Sequence, residues 1–192
     1  MTSNTIGDLW RCWYMSMASA LRVAFKRTTT RTTMPPQQFL VRLQHGITVY
    51  PFVALAGGFA PPTPNAIHQL TRSTDTPNSL FIESMVRPDG TPSLQPRPPK
   101  DLPIHDSSHG SYSLVDELHA ILKQIPTEKP PGIEDIYGLD TSIMWASDDL
   151  EWFNAGPQGC GHGTSEVQPT EEEKAKFKRA IEIVTQLTQL ES

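Results

Sequence analysis

A chain of 192 residues is long enough for one ordinary domain, but only 37% of it is hydrophobic, and eighteen prolines and twelve glycines break it often. The net charge of -5 hides a split: residues 1–74 hold seven basic groups against one acid, and residues 75–192 hold nine against twenty. The acidic majority argues against nucleic acid as a partner, and the two cysteines, Cys12 and Cys160, do not make a disulfide framework.

No Asp or Glu stands between Asp8 and Asp75, while that interval carries Arg11, Arg22, Lys26, Arg27, Arg31, Arg42 and Arg72. Within it Ile6, Leu9, Trp10, Trp13, Met17, Leu21 and Ala24 recur at steps of three and four. That spacing makes one apolar helical face, with Arg11, Arg22 and Lys26 off it or beyond it. A basic, acid-free amphipathic helix followed by the threonine run Thr28–Thr33 is expected to act as a mitochondrial transit peptide, so residues 1–33 are assigned to targeting. Cytoplasmic and secreted destinations stay open as alternatives. A surface helix shows the same stripe, and Ala18-Ser19-Ala20 has the small residues of a signal cleavage site. An internal start at Met34 would discard the helix.

Residues 34–60 form a short apolar segment whose centre is ITVYPFVALAGGFAP, from Ile47 to Pro61. It falls short of the roughly twenty residues a helix needs to span a bilayer. No transmembrane span is expected, although peripheral membrane contact is compatible with a docked apolar anchor. Residues 61–112 carry prolines 61, 62, 64, 77, 88, 92, 96, 98, 99 and 103, and read as a long Pro-rich disordered linker. Ser79–Val86 interrupts it with enough apolar residues for a short strand or a recognition segment.

Residues 113–190 are expected to form a small helical interaction module. Leu114, Leu118, Ile121, Leu122 and Ile125 predict one helix, with Ser113 as cap and Pro126 as stop. Thr170 and Glu173 form a capping box for a second, whose stripe is Phe177, Ala180, Ile181, Val184, Leu187 and Leu190. Between them lies an acidic-aromatic stretch around Trp145, Trp152 and Phe153. There Ser147 reads as a helix cap and Leu150–Phe153 as one helical turn. The tryptophans either close a small core over the helices or insert into a partner groove. On the second reading, the partner-binding residues are Trp145, Trp152, Phe153, Phe177, Ile181 and Val184.

The glycine-rich run 156–164 resembles a phosphate loop only in its glycines, since His162 stands where the lysine belongs, and no cofactor is assigned. Its alternative is chemistry at Cys160 and His162: a thiol nucleophile, or a zinc site completed by His105 and His109. The fold class expected is therefore mostly irregular, with few short α-helices and little β. The function expected is a non-catalytic interaction or assembly protein in mitochondria, binding another protein through the acidic-aromatic segment and the last amphipathic helix. A small enzyme or zinc-binding protein centred on Cys160 and His162 is the alternative.

Overall fold

The structure, a computed structural model, describes residues 36–47, 64–104, 110–155 and 163–191. All of them fall in one unit of the chain, 33–192. The first regular element, β1 (Phe39–His45), buries Phe39, Val41 and Leu43 and turns Leu40, Arg42 and Gln44 the other way. That period of two is what a strand with one buried face requires. β2 (Ala66–Arg72) pairs with it antiparallel, Val41 facing Leu70, and β3 (Ser79–Val86) pairs with β2, Leu70 facing Ile82.

Two short strands, β4 (Gln95–Pro96) and β5 (Lys100–Pro103), share the far side of β3. On the other flank of β1 come β6 (Thr141–Ser147) and β7 (Glu151–Phe153). The result is a seven-stranded antiparallel sheet in the order β4-β3-β2-β1-β6-β7, with β5 also on β3. This overturns the expectation of a mostly irregular chain with little β and a disordered linker: residues 66–103 hold four of the seven strands.

The prolines misled because of where they sit. Pro77 lies in the β2–β3 turn, where its carbonyl accepts from Arg72 Nε at 2.9 Å. Pro96 and Pro103 lie on the outermost strands, and Pro98-Pro99 falls between β4 and β5. A proline cannot donate to a ladder, but at a turn or on an edge it has no ladder partner to lose. The same residues split the edge strand in two and so deny a flat, continuous edge to any neighbouring chain.

Two helices cover one face of the sheet. α1 (Ser111–Leu122) and α2 (Glu171–Gln189) bury Leu114, Val115, Leu118, Leu122 and Phe177, Ala180, Ile183, Val184, Leu187 against the inward residues of the strands, in one continuous core. They are therefore the lid of a sheet and not a separate helical module. The capping box at α2 is present: Thr170 N donates to Glu173 Oε2 at 2.7 Å and Glu173 N to Thr170 Oγ1 at 3.3 Å. At α1 the cap position is Gly110, and the Ser113 hydroxyl instead donates back to the Gly110 carbonyl at 3.1 Å. At the far end of α2, Lys100 Nζ donates to the carbonyls of Thr188 and Leu190, which places a cation at the negative end of the helix. Arg179 on α2 holds Glu117 on α1 through two bonds of 2.8 and 2.9 Å, and this arginine pulls the Glu117 carboxyl below its ordinary value.

The expected helical turn after Ser147 is instead a two-residue hairpin loop, Asp148-Asp149. Ser147 N donates to Leu150 O at 2.9 Å, and Trp145 and Trp152 face each other across the ladder. Ser and Asp serve a turn through the same short acceptors that serve a helix cap. Here the Ser147 hydroxyl donates to Asp149 at 2.8 Å. Among the described residues, no helix is long and apolar enough to cross a membrane.

Candidate interaction surface

The aromatic residues expected to meet a partner are mostly the core itself. Trp145 is 1% exposed, held between Phe39 at a ring distance of 4.8 Å and His119 at 5.1 Å, with its indole N–H donating to Ser147 Oγ at 2.9 Å. Trp152 donates to the Ile125 carbonyl at 3.0 Å and leans on Phe177, which also stacks on Tyr137 at 4.1 Å. Phe177 and Val184 are fully buried, and half-buried Ile181 packs against the same cluster. Removing Phe177 from this setting deletes a packed aromatic worth about 3–5 kcal/mol. Of the six residues, Phe153 alone lies on the opposite face of the sheet, paired with Met144. Cys160, His162, His105 and His109 lie outside the described residues, as do residues 1–33 and all of the Ile47–Pro61 stretch except buried Ile47.

At one end of the helix-covered face, four polar side chains break the apolar pattern. His45 Nδ1 meets Thr141 Oγ1 at 2.8 Å, and His68 Nδ1 meets Ser84 Oγ at 2.9 Å. The Thr141 hydroxyl also reaches the Leu139 carbonyl at 2.8 Å. A hydroxyl has one proton, so when it is given to that carbonyl His45 Nδ1 must be the donor in the first bond. The Ser84–His68 pair has the elements of a nucleophile and base, but its surroundings oppose that chemistry. Burial, with the charges of His45 and Arg97 beside it, depresses the His68 pKa, so the imidazolium a general base must form is disfavoured there. Among the described residues, no three His, Cys, Asp or Glu side chains gather to hold a metal ion.

The helix-free face has a different character. Strand alternation and register set three rows across it. The first runs Ala146, Leu40, Thr71, Phe81, Asp101. The second runs Phe153, Met144, Arg42, Gln69, Glu83, and the third Ser142, Gln44, Ile67, Met85, Pro96. Phe81 and Met85 are exposed by 38% and 40%, two of the three most exposed large apolar residues among those described. Leu40, Ile67, Met144, Ala146 and Phe153 are half-buried on the same side.

Arg42 sits at the middle of this face, half-buried, with no hydrogen bond or ion pair to any described residue. Burial draws its pKa below the ordinary arginine value, and no carboxylate beside it offsets the effect. Glu83, two strands away in the same row, is exposed and receives one bond, from Gln69 Nε2 at 3.3 Å. Of the strands that build this face, Ser79–Val86 alone was singled out in the sequence, as a short strand or recognition segment, and the face it would present depended on where the helices landed.

Both edges of the sheet are short or interrupted. Prolines occupy the β4–β5 side. On the other side β7 covers only part of β6, and buried Asn154 continues the ladder with its side chain: Oδ1 accepts from Ile143 N at 2.8 Å, and Nδ2 donates to Thr141 O at 3.2 Å. Comparison with family models, curated proteins and solved structures finds no match to this chain.

Proposed function

We propose that this chain is a non-catalytic interaction or assembly protein that meets another protein through the helix-free face of its sheet, and that it works in mitochondria. One observation carries the first part. Phe81, Met85, Leu40, Ile67, Met144 and Phe153 share a face that neither helix covers, and an apolar face of that breadth marks a contact surface. Its charges are of both signs, Arg42 against Glu83, Asp101 and Glu151, which suits a protein surface better than phosphate backbones or anionic lipid. A photoreactive side chain in place of Phe81 tests it, with the same group in place of Lys178 on α2 as control. Discrete adducts in cell extract from position 81 and none from 178 are expected. Equal labelling from both, or none from either, refutes the reading.

The destination rests on the acid-free, basic and amphipathic residues 1–33. N-terminal sequencing of protein recovered from mitochondria tests it, and a mature start between residues 28 and 34 is expected. An intact Met1 in cytosolic protein refutes it.

A further inference from the structure

The rows of the open face carry a symmetry that bears on which protein it meets. In the central row, Arg42 and Glu83 flank Gln69 one strand away on either side. With strands about 4.8 Å apart, the two charges are equidistant from β2 and opposite in sign. A two-fold axis running along β2, between two such faces, reverses the order of the strands and leaves each row facing itself. Arg42 then stands opposite Glu83 of the partner subunit, and Glu83 opposite Arg42 of the partner subunit. In the neighbouring rows Leu40 comes against Phe81 of the partner subunit, while Thr71 and Ile67 meet their own counterparts. Self-complementarity of this kind is what an isologous interface demands.

We infer that the occupant of the helix-free face is a second copy of this chain, packed sheet on sheet with two reciprocal Arg42–Glu83 pairs; this rests on the interaction reading above and names its partner. Three further observations favour the second copy. Arg42 has no counter-charge among the described residues of its own subunit, whereas Glu83 is exposed and offers one from the other. Sheets packed face to face lie about 10 Å apart with strands roughly aligned, a spacing that long side chains such as Phe81, Met85 and Arg42 fill from both sides. Short edge strands, with prolines on the β4–β5 side, favour face packing over strand addition. Three rows across four strands cover on the order of 600 Å² per subunit, at the small end of specific interfaces, so the dimer is a weak and reversible one.

Sedimentation equilibrium over a concentration series tests this on the full chain. Wild type is expected to dimerise, and Arg42→Glu or Glu83→Arg alone to weaken the dimer at least about tenfold, because each reversal sets like charges against each other at two places. The double variant, Arg42→Glu with Glu83→Arg, restores both pairs and should return to within about threefold of wild type. Thermal melts of all three variants, compared with wild type under conditions where each is monomeric, establish that folding is intact. A wild type that stays monomeric to roughly 100 µM overturns the proposal, as does a single reversal without effect or a double variant no better than the singles in folded protein. The adducts at position 81 separate the two readings. A monomeric chain that still labels a different protein there keeps the interaction role and loses the dimer, and one that labels nothing loses both.

Discussion

Glu128 offers a sharp test of how the loop after α1 is held. Its side chain is 1% exposed, and its two carboxyl oxygens have unequal surroundings. Oε1 accepts from Gly132 N at 2.8 Å and from Ala155 N at 2.6 Å, joining the loop to the chain leaving β7, while Oε2 has no hydrogen-bond partner among the described residues. Glu128→Ala orphans both backbone donors. Each buried N–H left unpaired costs about 1–3 kcal/mol, so a loss of about 4 kcal/mol is expected, or roughly 10 °C in Tm for a domain of this size. Glu128→Gln keeps an oxygen for both donors and replaces the unpartnered one with an amide nitrogen. Its expected effect lies between a slight gain and a loss of about 1 kcal/mol. Urea unfolding followed by the fluorescence of Trp145 and Trp152 measures both. If Gln proves as costly as Ala, the two Oε1 bonds are not what holds the loop, and the reasoning is refuted.

Asn154→Ala removes the side chain that continues the β6 ladder and leaves Ile143 N and Thr141 O unpaired. A loss of about 2–4 kcal/mol is expected, together with faster amide exchange at Ile143 by mass spectrometry or NMR. Thr170→Ala breaks the capping box of α2 and should cost about 1 kcal/mol in a urea titration, whereas Thr170→Asn should recover most of it. Stability should also fall with acidity. Burial holds His45, His68 and His119 below the ordinary imidazole value of 6.5, so on acidification the unfolded chain takes up protons before the folded one. Their contribution is full above that value and is lost as pH falls through it toward the lower folded-state values. His68→Gln, which keeps a partner for Ser84, should flatten the slope of unfolding free energy between about pH 7.5 and 5.5. An unchanged slope would count against a buried, depressed His68.

What the sequence made legible was local. The stripe from Phe177 to Leu187 and the Thr170–Glu173 box lie within five turns of one helix, and short-range spacing was enough to place it. Ser79–Val86 was readable as a short strand or a recognition segment from its apolar residues Leu80, Phe81, Ile82, Met85 and Val86, and it is a strand. The sheet was not legible, because its pairings join residues far apart: His45 meets Thr141 across 96 positions of chain. Nor could periodicity tell Trp145 in a strand from Trp145 in a binding peptide. That distinction rests on Phe39 and His119 arriving on its two sides from distant segments. Prolines 77, 96, 98, 99 and 103, counted as breaks in a linker, carried real information, but it concerned turns and edges, and reading it needed the ladder against which they stand.

A single sheet with helices on one side must dispose of two edges and one open face. Here the edges are blunted by local means, by Pro96 and Pro103 on one side and on the other by a three-residue β7 whose ladder the Asn154 amide continues along β6. The face is treated differently. A protein that simply exposed it to water would gain by placing short polar residues at its centre, yet the centre holds a half-buried guanidinium between Met144 and Gln69 with no counter-charge among the described residues. An arginine in that setting costs stability to the isolated subunit, since its charge is partly withdrawn from water without compensation. The cost is offset when a carboxylate is brought to it from outside. Glu83 makes no ion pair with Arg42 of its own subunit, Gln69 lying between them, and in the proposed dimer Glu83 of the partner subunit is that carboxylate. The thin composition of the chain agrees with this: 37% of its residues are hydrophobic, and in the proposed dimer the partner subunit supplies the layer that covers the second face.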